Sequence, residues 1–81
     1  MNKKKLDIIL GKNIKKYRKQ YNEKIGKLTQ EDLAEAINVS VSLISSLESD
    51  KTVKGLSINN LYKISIVLGV PMSKFLEDSN E

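Results

Sequence analysis

The sequence contains no cysteine and no histidine. Their absence excludes disulfides and thiolate nucleophiles, and removes the commonest zinc ligands and the usual general base at neutral pH. No apolar run approaches the roughly 18 residues of a membrane span, and the N-terminus lacks the apolar segment of a signal peptide, so no membrane association and a cytoplasmic location are expected. Paired carboxylates in a catalytic setting and a phosphate-binding glycine loop are also missing. These gaps leave no candidate active site and no call for a metal or cofactor. No repeat, linker or low-complexity segment marks a second domain. Eighty-one residues form one small module that buries only about 60 per cent of its unfolded surface, too little to spare for a catalytic cleft.

What the chain does have is charge, unevenly placed. The formal net charge is +4. Residues 1–28 carry ten Lys or Arg against Asp7 and Glu23, a balance of +8, and residues 29–81 carry four Lys against eight acids, a balance of −4. A basic N-terminal third suits a polyanion, nucleic acid or an anionic membrane surface, and is also an ordinary solubilising device.

Hydrophobic periodicity divides the chain into helices. Met1–Lys5 is a basic arm, residues 6–77 form the domain, and residues 78–81 are a polar tail. Leu6, Leu10, Ile14, Tyr17 and Tyr21 recur at three- and four-residue intervals, which predicts a first helix ending near Tyr21, with Lys12, Lys15, Lys16 and Lys19 on its other face. Asn22–Leu28 is a loop. Thr29 caps a second helix with Glu31 and Asp32 in its first turn, Leu33, Ala34 and Ile37 on its inner face, and Asn38 at its stop. Ser40 caps a third helix, where Ile44 and Leu47 point inward and Val41, Ser42, Ser45 and Ser46 point elsewhere. Ser57 caps a fourth helix whose apolar face is Ile58, Leu61, Ile64, Val67 and Leu68, closed by Gly69. Pro71 opens a short fifth helix carrying Met72, Phe75 and Leu76, residues that either complete the core or form a self-complementary patch. Helices this short are marginal alone, so the second and third require the flanking ones as support. Two helices around a tight corner suit a DNA major groove, and on periodicity alone they equally suit a hairpin in an ordinary helical bundle.

The wording of this stretch goes beyond periodicity. LTQEDLAEAINVSVSLISSLE, with its Thr29-Gln30 opening, Leu33-Ala34 pair, Val39-Ser40 corner and Ile44, Leu47, Glu48 ending, resembles the helix-turn-helix of phage repressor and Cro-type regulators, the Xre family. The likeness extends from about Leu10 to Leu76. It implies an all-α, five-helix, lambda-repressor-like domain with the helix-turn-helix at helices 2 and 3. It further implies that Val41, Ser42, Ser45 and Ser46 meet base edges, and that Gln30, Ser40, Lys51, Thr52 and Lys54 meet phosphates. Arg18 would pair with Glu48, locking helix 1 to helix 3, while Met72, Phe75 and Leu76 are dimer-interface candidates. Two departures stand out: the loop before Thr29 is longer than the usual connection, and Ser49-Asp50 replaces the family's customary glycine.

The function that follows is a small dimeric transcription regulator on double-stranded DNA with a palindromic operator, an autoregulatory repressor or controller protein of a phage, plasmid, mobile element or restriction-modification operon. The alternative is an antitoxin or other protein-interaction module, with a protein partner first and DNA second.

Overall fold

The computed structural model describes residues 3–49 and 56–78. Among them are five helices and no strand: α1 (Lys3–Lys24), α2 (Gln30–Ala36), α3 (Val41–Glu48), α4 (Ile58–Leu68) and α5 (Met72–Phe75). None is long and apolar enough to cross a membrane. The order and number of helices match the reading from periodicity. The bounds of α1 do not, since it begins at Lys3 and runs three residues past Tyr21. Periodicity dates a helix by its buried stripe, and the last buried contact falls short of the last helical hydrogen bond.

Local chemistry explains each end. The amides of Ile25 and Gly26 both reach the Tyr21 carbonyl, at 2.8 and 3.2 Å, as α1 unwinds. The Leu28 amide then donates to Asn22 Oδ1 at 2.6 Å, clipping the loop so that Leu28 enters the core. Thr29 accepts from the Asp32 amide while Asp32 accepts from the Thr29 amide, a reciprocal capping box. Ser40 and Ser57 cap α3 and α4 by accepting from Leu43 and Asn60. Helix α2 closes on Asn38 at φ 61° and α4 on Gly69 at φ 68°. In each case the following amide bonds five residues back, Val39 to Ala34 and Val70 to Ser65, which is the Schellman closure. That closure is what turns α2 sharply into α3.

The core consists of Leu10, Ile14, Leu28, Leu33, Ala34, Ile37, Ile44, Leu47, Leu61, Ile64, Leu68 and Phe75. Helix α1 is its central strut and packs against α3, α4 and α5, whereas α3, among the described residues, packs chiefly against α1 and α2. Phe75 is fully buried and meets Tyr17 edge-on, with ring centroids 5.4 Å apart at 74°. Phe75 therefore belongs to the core and is removed from any dimer patch; Leu76 is exposed and Met72 half-buried.

Ile58 needs the opposite correction. Expected to face inward, it is 72 % exposed. The buried side of α4 is Leu61, Ile64, Ser65 and Leu68, with Val67 at its margin. A helix that starts at Ile58 turns its first residue away from the side defined by Leu61 and Leu68, and a run of apolar residues on both faces gave no phase from which to read this.

Candidate nucleic-acid interface

Helices α2 and α3 meet at the tight corner of Asn38 and Val39, and the side chains behind them explain why they hold one pose. Arg18 of α1 and Glu48 at the end of α3 are both buried. Arg18 Nε donates to Glu48 Oε2 at 2.7 Å and Nη2 donates to Oε1 at 3.0 Å, a bidentate fork. The third donor, Nη1, reaches the Leu28 carbonyl at 3.0 Å. Gln30, the first residue of α2, completes the set, its Nε2 donating to Glu48 Oε1 at 3.0 Å. The Arg18–Glu48 pair thus gathers α1, α2 and the loop between them onto α3. Among the described residues no buried side-chain nitrogen or oxygen lacks a partner, the condition under which a buried ion pair fixes geometry without a large desolvation cost.

The outward side of α3 is small and polar. Val41 is 42 % exposed, Ser42 and Ser45 are exposed, and Ser46 is half-buried between the outer and inner faces. Ser40 spends one lone pair on the Leu43 amide, leaving its hydroxyl hydrogen free to donate outward, beside the first amides of α3 that have no carbonyl partner in the helix. Gln30 uses one of two amide hydrogens on Glu48; the second remains for an acceptor in front of α2. Four of the residues singled out for DNA contact, Ser40, Val41, Ser42 and Ser45, therefore lie exposed at the start and along the outer face of α3, with Gln30 at the start of α2 and Ser46 half-buried beside them. Lys51, Thr52 and Lys54 lie outside the described residues.

Asp32 carries a depressed pKa. Its carboxylate accepts the Thr29 backbone hydrogen bond and then the Thr29 side-chain bond, and Lys27 adds a smaller attraction; these outweigh a slight desolvation in the other direction. The charge so held sits at the positive end of α2.

Two positions that shape this region went unread in the sequence. Gly11 is buried in α1, and a Cβ built on it would collide with the Leu47 carbonyl of α3. The signal was a glycine inside a helix, where it costs about 1 kcal/mol against alanine and so calls for a packing reason. Asn13 is also buried, its Nδ2 donating to the carbonyls of Phe75 at 2.7 Å and Glu77 at 2.9 Å. The signal there was an amide set next to Ile14 on the inward side of α1.

A protein-family model described as helix-turn-helix matches residues 14–75, from the buried Ile14 of α1 to Phe75 at the end of α5. No curated protein matches the chain.

Proposed function

The chain belongs to this helix-turn-helix family, of Cro/C1 type and Xre-like, a family of DNA-binding transcription regulators, and from that premise we propose that it is an autoregulatory repressor or controller protein. It binds its operator as a homodimer, with one α3 in each of two major-groove half-sites about 34 Å apart on a palindromic sequence. Its gene would lie in a phage, plasmid, mobile element or restriction-modification operon.

The observation that carries the reading is the exposed row Ser40, Val41, Ser42 and Ser45, with half-buried Gln30 beside it, held by the Arg18–Glu48–Gln30 cluster. Gln30 and Ser40 retain a donor each for phosphate. Val41 offers methyl groups to the methyl of thymine, and the serines offer short hydroxyls that donate or accept without strong preference. Discrimination per residue is consequently modest, and bridging water, groove shape and cationic contacts share the specificity.

The test is fluorescence anisotropy with the DNA directly upstream of the coding sequence, against a shuffled fragment, at low and near-physiological salt. A preference of about a hundredfold or more that survives at the higher salt is the expected result. Equal binding that is lost equally as salt rises, at nearly one log unit of affinity per log unit of salt for each phosphate neutralised, would leave only non-specific attraction by the basic N-terminal third. In that event the protein-interaction reading, with DNA secondary, replaces this one.

A further inference from the structure

Helix α1 runs a turn past Tyr21, and that turn adds nothing to the core. Asn22, Glu23, Lys24 and Ile25 are all exposed, Ile25 by 69 %. Beyond the clip from Asn22 to the Leu28 amide, what the turn does is raise one wall of a groove. The groove holds about 130 Å³, and Gln20, Tyr21, Lys24 and Ile25 form that wall. Leu68 and Val70 form the other. They are brought there by the left-handed Gly69, which folds the chain so that the Val70 amide meets the Ser65 carbonyl. Tyr17, which also lines the groove, is fixed on two sides. Phe75 meets its ring edge-on at 5.4 Å, and Lys16 Nζ lies 5.0 Å from its centroid.

We propose that this groove binds a small organic acid carrying a single aromatic ring. The ring rests on the tyrosine and aliphatic surfaces, and the carboxylate pairs with Lys24 within reach of the Gln20 amide. Size selects the ring: the volume is close to the cavity of about 150 Å³ that holds one benzene, and below the roughly 300 Å³ at which sites for drug-sized ligands begin. Charge selects the acid, because the lining contains a lysine and no carboxylate and lies largely on the basic third of the chain, whose field favours anions. A protein partner would need about 800 Å² of matching surface, and the groove has room for one ring.

The lining takes nothing from α2 or α3, so the site is independent of the DNA-binding reading. It joins α1 to the corner between α4 and α5, the parts that Asn13 and Tyr17 already hold together. A bound acid therefore stabilises the folded chain and does not compete for the outer face of α3. With about 11 non-hydrogen atoms in an open groove, its dissociation constant lies in the millimolar range.

The experiment follows amide proton–nitrogen correlation spectra and uses no DNA. The full chain is titrated with 3-phenylpropionate, with its uncharged amide and with acetate, each to about 20 mM, well past a millimolar midpoint. The acid is expected to give saturating shifts at the amides of residues 17–25 and 68–70. The uncharged analogue should bind about two- to fivefold more weakly, the range of an exposed ion pair, and acetate should not saturate. Lys24→Gln is expected to bring the acid down to the level of the analogue and to leave the analogue unchanged, while Ile25→Ala weakens both. Both positions are exposed, and the same spectra verify that the variants fold. Lys19→Gln, on the far face of α1, should change neither ligand. If neither ring-bearing compound gives a saturating shift, the proposal is overturned and the groove is left to a side chain of a protein partner. Shifts spread over the lysine face of α1 overturn it, and so does a Lys24→Gln chain that still prefers the acid.

Discussion

The residue on which most of the arrangement turns is Glu48. It receives three hydrogen bonds, two from Arg18 and one from Gln30, and it is 6 % exposed. Arg18→Met is expected to cost about 3–5 kcal/mol, because it strands a buried carboxylate, and Glu48→Leu a similar amount through the stranded guanidinium. The double variant should recover much of the loss, since an apolar pair leaves neither charge unpaired. Urea denaturation of the four proteins gives the coupling directly, and additive losses would show that the fork has no energetic reality. Asp32 provides a pH-dependent counterpart. Its folded pKa lies below the ordinary value, so its contribution is present above the unfolded carboxylate pKa of about 3.9 and is lost as pH falls through the lower, folded value. Asp32→Ala should therefore melt below the unaltered chain at pH 7, and the gap should close under acid conditions below about pH 3.9. A gap that stays constant across that window would argue against the capping box. At this scale the sequence was largely readable. Thr29, Ser40, Ser57, Asn38 and Gly69 act on amides and dihedrals within five residues of themselves, so their roles needed no knowledge of the rest of the chain. Arg18 and Glu48, 30 positions apart, became readable only through the family likeness.

Among elements, the decisive spacing is that of α1 against α3. The two backbones meet at Gly11 and Leu47, and the missing side chain is what allows it. Gly11→Ala should therefore destabilise by about 1–3 kcal/mol through overpacking, even though alanine is the better helix former by about 1 kcal/mol. Gly26 is the control. Nothing lies within 4 Å of a Cβ added there and its φ is not positive, so Gly26→Ala should be neutral or gain about 0.4–1 kcal/mol. Thermal melts of both variants decide the matter by sign: a stabilised Gly11→Ala would mean that the helices have room to spare. Helix existence and order could be read from spacing because each core stripe recurs every three or four residues. The inner face of α4 was legible at Leu61, Ile64 and Leu68 but not at Ile58, because Ile58, Tyr62 and Ile66 offer a second apolar stripe. Which of two apolar stripes turns inward is settled by the neighbours, α1, α2 and α5, and not by α4 itself.

For the whole molecule, the contact that matters is between the two ends of the domain. Asn13 bonds Phe75 and Glu77 across 62 and 64 positions, and Tyr17 packs on Phe75 beside it. Asn13→Ala leaves those carbonyls short of a donor and is expected to cost about 1–3 kcal/mol. The amides from Met72 to Glu77 should then exchange with solvent sooner than those of α2 and α3, as hydrogen exchange will show; uniform loss of protection would mean that α5 does not open separately. A contact of this range has no signature in local spacing, which is why Asn13 was passed over and Phe75 was left between core and surface.

That same closure gives the nascent chain a deadline. Helix α1 is made before its partners, since Phe75 and Glu77 follow Asn13 by 62 and 64 positions. At about 5–20 residues per second the ribosome needs several seconds to join the two. Until Phe75 has been added, α2 and α3 have been made but the core they share with it is incomplete, and a chain interrupted before that residue should hold the pair less firmly. Chains cut short before Phe75 would therefore be weaker competitors for DNA than chains that reach it.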